Sequence, residues 1–252
     1  MNDDRKVCII TGGGKGIGAS ITRVFHEAGY RVLIGSRSDS GLARELGEGV
    51  VFERIDVKRE EGHRNLVKKA LSLWGRLDVY INNAGYSSWR PVSLVDEAFF
   101  ADMMETNVNG TYWGCKAAAE TLSSDGVIIN VSSLAGKRGS AHNSVYCASK
   151  FAVNGITQAL AKELGPRGIR VNAVCPVYVR TEGLLEALED EYSPAAGGDV
   201  VEYLDAFTRS NTALHRLPRG DEVGRACLYL ASDGASAITG QCINVDCGVL
   251  PQ

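Results

Sequence analysis

Short apolar segments alternate with helical patterns along almost the whole chain. Seven segments read as strands, because each is a brief apolar run bounded by turn residues. They are KVCIITG, RVLIGS, VVFERIDV, LDVYINNAG, DGVIINVSS, GIRVNAVCP and GQCINVDCG. Between them lie helical patterns, such as residues 16–29, where Ile17, Ile21, Val24 and Phe25 form one apolar stripe. The repeated strand–helix unit predicts one α/β domain over residues 1–252, with a doubly wound parallel seven-stranded sheet and helices on both faces.

Residues 177–217 interrupt this alternation. The stretch contains SPAAGG and many acidic residues, and we interpret the charges as a solvated face rather than a binding surface. We predict helical pieces set over the carboxyl end of the sixth strand. Ligands of open α/β sheets bind outside the carboxyl ends of the strands, so this segment is the expected substrate-loop region.

Composition excludes several classes of function. The 252 residues are 44% hydrophobic and 23% charged with a net charge of −3, which gives no sign of a nucleic-acid or polybasic membrane surface. The start MNDDRKVCII lacks a signal-peptide layout, and no apolar run approaches a membrane span. The seven cysteines form no CxxC motif and the four histidines are scattered. We therefore expect a cytoplasmic protein with buried thiols and no metal site.

A glycine-rich turn, TGGGKGIG at residues 11–18, joins the first strand to the first helix. Such a turn lets a pyrophosphate approach backbone N–H groups at a helix N-terminus. We expect Gly12, Gly16 and Gly18 at the positions of closest approach. The spacing is wider than in the GxGxxG fingerprint, and the strand-to-helix context favours a dinucleotide over a ligand-free loop.

The end of the second strand reads LIGSRSDS and bears on the choice of cofactor. NAD usually meets an acidic residue here, whereas Ser36 and Arg37 occupy the place and Asp39 follows later. Lys15 adds a second cation, and cations with hydroxyl donors suit a 2′-phosphate. These residues favour NADP(H), with NAD(H) as the alternative. Asp56, after the third strand, could bind the adenine amino group or cap a loop.

The stretch SVYCASK places Tyr146 and Lys150 four residues apart, about one helical turn, so that both side chains would share one face. The spacing alone does not separate a catalytic pair from two ordinary helix residues. The chain has nine tyrosines, and lysine is a common residue.

The motifs of the chain occur in a characteristic order. They are TGGGKGIG, IDV at 55–57, NNAG at 82–85, TNVNG around Asn107, NVSS at 130–133, YCASK at 146–150 and a proline segment at 176–181. This set resembles the classical short-chain dehydrogenases/reductases over about residues 6–248. The resemblance implies a Rossmann-like fold, and NAD(P)(H)-dependent interconversion of a carbonyl and a secondary alcohol. It also implies that Tyr146 and Lys150 are the catalytic pair, with Ser133 thirteen residues before the tyrosine.

The resemblance implies a full set of site residues. The expected catalytic set is Asn107, Ser133, Tyr146 and Lys150. The expected cofactor-binding residues are Gly12, Lys15, Gly16, Ile17, Gly18, Ser36, Arg37, Asp56, Val57, Asn83, Ala84, Gly85, Tyr146, Lys150, Pro176, Val179 and Thr181.

The resemblance also implies a mechanism in which Tyr146 exchanges a proton with the substrate oxygen. A phenol has a pKa near 10, and we expect Lys150 and an oxidised nicotinamide to lower the pKa of Tyr146 by about 2 to 3. Ser133 would bind the substrate oxygen. Asn107 would hold a water or the helix backbone that links Lys150 to solvent.

Two positions depart from the family pattern. Val177 follows the proline where glycine is usual and is expected to crowd the pocket beside the nicotinamide; Cys247 replaces a glycine near the C-terminus. Three segments are expected to form the substrate walls: residues 86–89, residues 134–143 with Arg138, and residues 177–217. They leave a 3-oxoacyl thioester, a sugar or polyol, a cyclic alcohol and a small ketone as open alternatives.

Two other functions use related folds. A non-catalytic cofactor-sensing regulator is disfavoured by the intact Ser133, Tyr146 and Lys150. An epimerase or dehydratase of the extended branch is disfavoured as well, because those chains usually carry TGxxGxxG and a larger C-terminal domain, and neither is found in this sequence. The resemblance further implies a homodimer or homotetramer, and the helix expected at 144–165 is apolar on more than one side.

Overall fold

The computed structural model describes residues 4–251, so residues 1–3 and 252 of the expected domain lie outside the described residues. All seven expected strands form. They are β1 Val7–Thr11, β2 Arg31–Ser36, β3 Val50–Arg54, β4 Val79–Asn82, β5 Val127–Val131, β6 Arg170–Pro176 and β7 Cys242–Val245. The helices are α1 Gly16–Glu27, α2 Leu42–Leu46, α3 Glu60–Trp74, α4 Glu97–Met104, α5 Gly110–Ala119, α6 Ser144–Leu164, α7 Glu182–Leu188, α8 Val200–Asn211 and α9 Gly220–Ala231.

The strands pair in parallel in the order β3-β2-β1-β4-β5-β6-β7. The predicted doubly wound α/β fold is therefore confirmed. The order reverses between β1 and β4, so the connections that leave these two strands diverge and open a crevice at their carboxyl ends.

The side chains of alternate residues of β1 pack into two separate apolar layers, one on each face of the sheet. Cys8 and Ile10 pack toward α1 and α9, whereas Val7 and Ile9 pack on the side of α3, α5 and α6. All five β1 residues are buried, which explains why the segment reads as a continuous apolar run rather than an alternating one. Each buried aliphatic side chain contributes about 1.5–3 kcal/mol, so both helical layers hold the central strands in place.

Helices α4 and α5 are joined by a π-helical turn, Glu105–Asn109, so that one long rod runs from Glu97 to Ala119. The turn is wider than an α-helical turn by one residue, and it contains Asn107. Such turns occur often at functional sites.

Residues 177–217 follow the carboxyl end of β6 and contain the helical pieces that the sequence predicts, and we call this segment the cover. It consists of α7, a turn-rich connection and α8. A small apolar cluster joins the cover to Trp89, and in it Trp89, Leu188, Ala195 and Leu204 are buried. Most of its acidic side chains are exposed, in agreement with a solvated face.

Within residues 4–251, no helix has both the length and the apolar character needed to cross a bilayer. The same range contains no grouping of three His, Cys, Asp or Glu side chains suited to a metal ion. The seven cysteines are unpaired thiols, five of them buried.

Candidate active site

A cleft of about 1100 Å³ runs along the carboxyl ends of the strands, from the glycine-rich loop to the start of α6. Of the expected site residues, all line this cleft except two. Pro176 is buried at the end of β6, where it fixes the direction of the segment that follows. Asn107 is only 1% exposed and lies behind the cleft wall.

The glycine-rich loop is pinned to the end of β4 by hydrogen bonds. Thr11 Oγ1 accepts from the N–H groups of Asn83 and Ala84 at 3.1 Å each. The Asn83 side-chain amide donates to the carbonyls of Thr11 and Gly12 at 2.9 and 3.2 Å. The NNAG segment therefore holds the glycine-rich loop by hydrogen bonds and also lines the cleft.

The three expected glycines serve different purposes. A Cβ on Gly18 would lie 2.2 Å from the Gly12 carbonyl oxygen, and Gly12 has a φ of +64° with a Cβ position 3.0 Å from Ala84. These two glycines are required by packing inside the loop. Gly16, with a φ of +53°, instead faces Thr181 across 3.6 Å, so Gly16 and Thr181 border the open part of the cleft.

Thr181 belongs to the opposite rim of the cleft. Its hydroxyl caps α7 by accepting from the Leu184 N–H at 3.2 Å. The start of α1 and the capped start of α7 thus border the same part of the cleft, and the N-terminus of α1 suits a pyrophosphate there.

At the far end of the cleft, Lys15 and Arg37 are exposed cations that line the wall together with Ser36, Ser38 and Ser40. Asp39 does not line it: the carboxylate accepts from the Gly41 N–H at 2.8 Å and lies 3.8 Å from Arg44. Within residues 36–41 the cleft therefore meets a cation and hydroxyls but no carboxylate.

Tyr146 and Lys150 lie on one face of α6, as the spacing predicts. The Lys150 ammonium is 5.7 Å from the centroid of the Tyr146 ring and donates to the Val131 carbonyl at 2.9 Å. Ser133, just beyond β5, also lines the cleft, and its hydroxyl lies close enough to the phenol to lower the pKa of Tyr146. The strand end and the helix thus bring three side chains from distant parts of the chain together.

The electrostatics of this group differ from the expectation. Burial raises the pKa of Tyr146 to about 12, although the hydrogen bond from Ser133 opposes this effect. Burial also lowers the pKa of Lys150 to about 8. The expected lowering of the Tyr146 pKa relies in part on a bound oxidised nicotinamide, and it is not present in the chain by itself, because the cost of withdrawing the phenolate from water outweighs the effect of Ser133.

Asn107 connects three elements from inside the π turn. Its amide nitrogen donates to the Tyr86 carbonyl at 2.9 Å and to Ser149 Oγ at 3.1 Å, while its oxygen accepts from the Tyr86 N–H at 3.1 Å. A Cβ built on Gly85 would lie 2.9 Å from Asn107 Oδ1 and 3.6 Å from Lys150 Nζ. The amide therefore fixes the NNAG segment and α6 beside Lys150.

Comparison with known proteins agrees with this geometry. The family model described as enoyl-(acyl carrier protein) reductase matches residues 12–250. An uncharacterized oxidoreductase of Thermotoga maritima is 36% identical, over 98% of each chain. The 3-oxoacyl-[acyl-carrier-protein] reductase of Chlamydia trachomatis is 33% identical, over 97% of each chain. A single-substitution variant of actinorhodin polyketide ketoreductase, solved with NADPH, superposes with a TM-score of 0.90 at 32% identity, over 99% of each chain.

The chain belongs to the classical short-chain dehydrogenase/reductase family. The resemblance inferred from the ordered motifs is thereby confirmed.

The wall that the cover contributes to the cleft of this short-chain dehydrogenase/reductase is aromatic. Tyr178 packs edge-on against Phe207 with ring centroids 4.9 Å apart, and its hydroxyl lies 3.3 Å from that of Tyr203. Trp89 is 4% exposed and joins the apolar cluster of the cover. The spacing of Val200, Leu204 and Phe207 along α8 is the signal that could have identified this wall, because it marks one helical face.

The other expected wall residues divide into two groups. Tyr86, Ser87, Leu134, Arg138 and Asn143 line the cleft, whereas Lys137 and His142 do not.

The structure also shows where the two residues that depart from the family pattern lie. Val177 lines the cleft as expected, and its N–H donates to the Val245 carbonyl at 3.4 Å. Cys247 has a φ of +55°, a left-handed conformation that glycine adopts without strain.

Proposed function

We propose that the protein is an NADPH-dependent reductase that converts a ketone to a secondary alcohol. The observation that carries this proposal is the convergence of Ser133, Tyr146 and Lys150 at the inner end of a cleft whose outer end carries Arg37 and Lys15. The geometry of the cleft fits a dinucleotide, since the glycine loop and Thr181 border a gap at a helix N-terminus.

The roles of the three side chains follow from their contacts. A bound reduced nicotinamide would supply the hydride to the carbonyl carbon. Tyr146 donates its proton to the carbonyl oxygen, and Ser133 donates a hydrogen bond to the same oxygen. The raised pKa of Tyr146 keeps the phenol protonated near neutrality, which suits a proton donor in the direction of reduction.

Lys150 and Asn107 support this proton transfer. The Lys150 ammonium gives one N–H to Val131 and retains two for ribose hydroxyls. Asn107 holds Ser149 and the Tyr86 backbone in place around that ammonium. In the reverse reaction, the positive charge of an oxidised nicotinamide would have to lower the pKa of Tyr146, since the chain alone does not.

NADPH is the proposed cofactor because Arg37, Lys15 and three serines line the ribose end while Asp39 has other partners. A relative of similar fold was solved with NADPH. We expect Arg37→Gln to weaken NADPH binding about tenfold or more, because a charge-assisted hydrogen bond to a 2′-phosphate is lost. NADH binding should be unchanged, and an equal loss for both cofactors would contradict the assignment.

A panel of ketones assayed with NADPH and with NADH tests the proposed function. Wild-type protein should consume NADPH with at least one ketone. Tyr146→Phe should bind NADPH normally but lose about 10²- to 10⁴-fold in turnover, the contribution typical of a positioned proton donor. Full turnover by this variant, or NADPH binding without turnover of any ketone by the wild type, would refute the proposal and favour a cofactor-sensing role.

The proposal includes a homodimer or homotetramer. Three aromatic side chains on the helices α4, α5 and α6 are about half exposed, namely Phe100, Tyr112 and Phe151. Aromatic side chains are enriched at protein interfaces, which supports association through these helices.

A further inference from the structure

His63 is the buried histidine of the chain, and the proposed reaction does not use it. It lies in the first turn of α3 and is 0% exposed, whereas the other three histidines are partly or fully exposed. Its Nδ1 lies 2.7 Å from the Tyr80 hydroxyl, and its Nε2 lies 2.9 Å from the Val57 carbonyl oxygen. Both ring nitrogens therefore have a polar partner in the interior of the domain.

The two partners determine where the imidazole carries its proton. A carbonyl oxygen only accepts, so Nε2 must donate to Val57. Burial lowers the pKa of His63, which keeps the ring neutral near pH 7 and leaves Nδ1 as an acceptor. The Tyr80 hydroxyl then donates to Nδ1. One directed chain of hydrogen bonds thus runs from Tyr80 in β4, through His63 in α3, to the backbone of Val57.

The backbone at the end of this chain is part of the cleft wall. Asp56 and Val57 line the cleft, whereas His63 does not. The Ile55 N–H donates to the Ser36 carbonyl at 3.0 Å, so this segment lies directly beside the end of β2.

The same segment lies where the adenine of NADPH is expected. The adenine is attached to the ribose that carries the 2′-phosphate, and the proposed function places that phosphate at Arg37, the residue after β2. The neighbouring strand end is that of β3, which leads into residues 56–57. These residues are therefore the wall against which the adenine would pack.

The flanking helices leave the segment little room to move. A Cβ on Gly62 would lie 2.8 Å from the Asp56 carbonyl oxygen, and a Cβ on Gly110 would lie 3.3 Å from the Val57 carbonyl oxygen. The backbones of α3 and α5 thus approach residues 56–57 closely. The glycines allow this approach, and the N–H of His63 fixes the orientation of the Val57 carbonyl.

We propose that His63 is a positioning residue for the cofactor, which orients the Val57 peptide so that residues 56–57 fit the adenine ring. This inference rests on the proposed function, because it takes NADPH as the ligand of the cleft. The imidazole acts through the backbone and lies outside the cleft that holds Ser133, Tyr146 and Lys150. Its effect should therefore appear in cofactor affinity and not in the chemical step.

The test uses adenosine 2′,5′-bisphosphate, which carries the adenine and the 2′-phosphate but no nicotinamide. His63→Leu removes the donor to Val57, and we expect the affinity for this probe, measured by calorimetry, to fall about three- to tenfold. KM for NADPH should rise by the same factor. The kcat and the ketone KM, measured at saturating NADPH with a ketone of the panel, should stay within about twofold of wild type.

Three further variants separate backbone orientation from general damage. His63→Gln retains a side-chain N–H for the Val57 carbonyl and should recover most of the probe affinity. His63→Leu combined with Tyr80→Phe also removes the hydroxyl that would be left unpaired, and it decides the matter if His63→Leu alone does not fold. His26→Leu makes the same substitution in α1, outside the cleft wall, and should leave every value unchanged.

The outcomes distinguish this inference from the proposed function. Unchanged probe affinity in His63→Leu, no recovery in His63→Gln, or equal losses in probe affinity, kcat and ketone binding would overturn the role of His63 and leave the proposed function standing. A wild type that binds the probe but reduces no ketone would refute the proposed function, while the binding comparison would still decide the role of His63. A wild type that binds neither NADPH nor the probe would refute both.

Discussion

The glycine-rich loop and the cover form opposite walls of one cleft, but they are built in different ways. The loop is held by hydrogen bonds that Thr11 Oγ1 accepts and the Asn83 amide donates, and by the close packing at Gly12 and Gly18. The cover is held by side-chain packing around Leu204 and Trp89. Backbone bonding allows little sequence variation, whereas a small packed cluster can be rebuilt from many side chains. The loop thus suits an invariant ligand and the cover a variable one.

The largest effect should follow from placing a methyl group inside the loop. In Gly18→Ala the new Cβ would lie 2.2 Å from the Gly12 carbonyl oxygen and 2.4 Å from the Asn83 amide. We expect a loss of about 1–3 kcal/mol or more in unfolding free energy, together with loss of NADPH binding, measured by thermal unfolding and by titration. Gly155→Ala, in α6 with open space around it, is the control and should be neutral or stabilising. An unaffected Gly18→Ala protein would show that the loop is not rigid.

The pH dependence of kcat/KM should be set by Lys150 and Tyr146 and not by residues of the cover. Lys150, with its pKa lowered to about 8, is charged below that pH, and Tyr146, with its pKa raised to about 12, stays protonated. We expect kcat/KM for reduction to be level below pH 8 and to fall about tenfold per pH unit above it, as Lys150 loses its proton. A rate that rises through pH 8 in this direction would contradict the assignment.

A mutation that creates a cavity in the cover should affect ketone binding without affecting cofactor binding. Leu204 is fully buried in the cluster of the cover, and Leu204→Ala should weaken the local packing by about 2–5 kcal/mol. We expect KM for the ketone to rise while the NADPH affinity and the pH profile remain those of the wild type. Val201→Ala removes an exposed side chain of the same helix as the control. Weaker NADPH binding in Leu204→Ala would show that the two walls are coupled.

The smallest effect should come from an ion pair inside the cover, which joins its first residues to α8. Arg180 pairs with Asp205, and both side chains are about half exposed. Such pairs contribute about 0.2–1 kcal/mol. In a double-mutant cycle of Arg180→Gln and Asp205→Asn, the coupling measured on KM should fall in this range and decrease with salt. A coupling several times larger would mean that the pair, rather than the apolar cluster, holds the cover.

The contrast between the hydrogen-bonded loop and the packed cover also explains which features could be predicted from the sequence. The seven strands and the glycine loop depend on local patterns, so β1 and residues 11–18 were predictable. The ordered motifs predicted that Ser133 and Tyr146 meet. The spacing of Leu204 and Phe207 indicates an apolar face on α8, but the contact of Phe207 with Tyr178 depends on how α8 packs against distant residues, which local patterns do not contain.

Two features of the site required three-dimensional information. The pKa of Tyr146 is set by its burial, a property of the folded environment that sequence spacing does not contain. The side-chain oxygen of Asn143 is buried without a hydrogen-bond partner, and this too follows from the residues that the fold places around it. Both are consequences of packing between segments far apart in the chain.

The wide turn at Glu105–Asn109 amounts to one inserted residue in an otherwise regular rod. Deleting one residue there would restore an uninterrupted α-helix, and everything beyond it would rotate by about 100°. The repaired helix would be more regular, but a different side chain would stand where Asn107 now holds Tyr86 and Ser149. In these five residues, helical regularity and the contacts of Asn107 exclude one another.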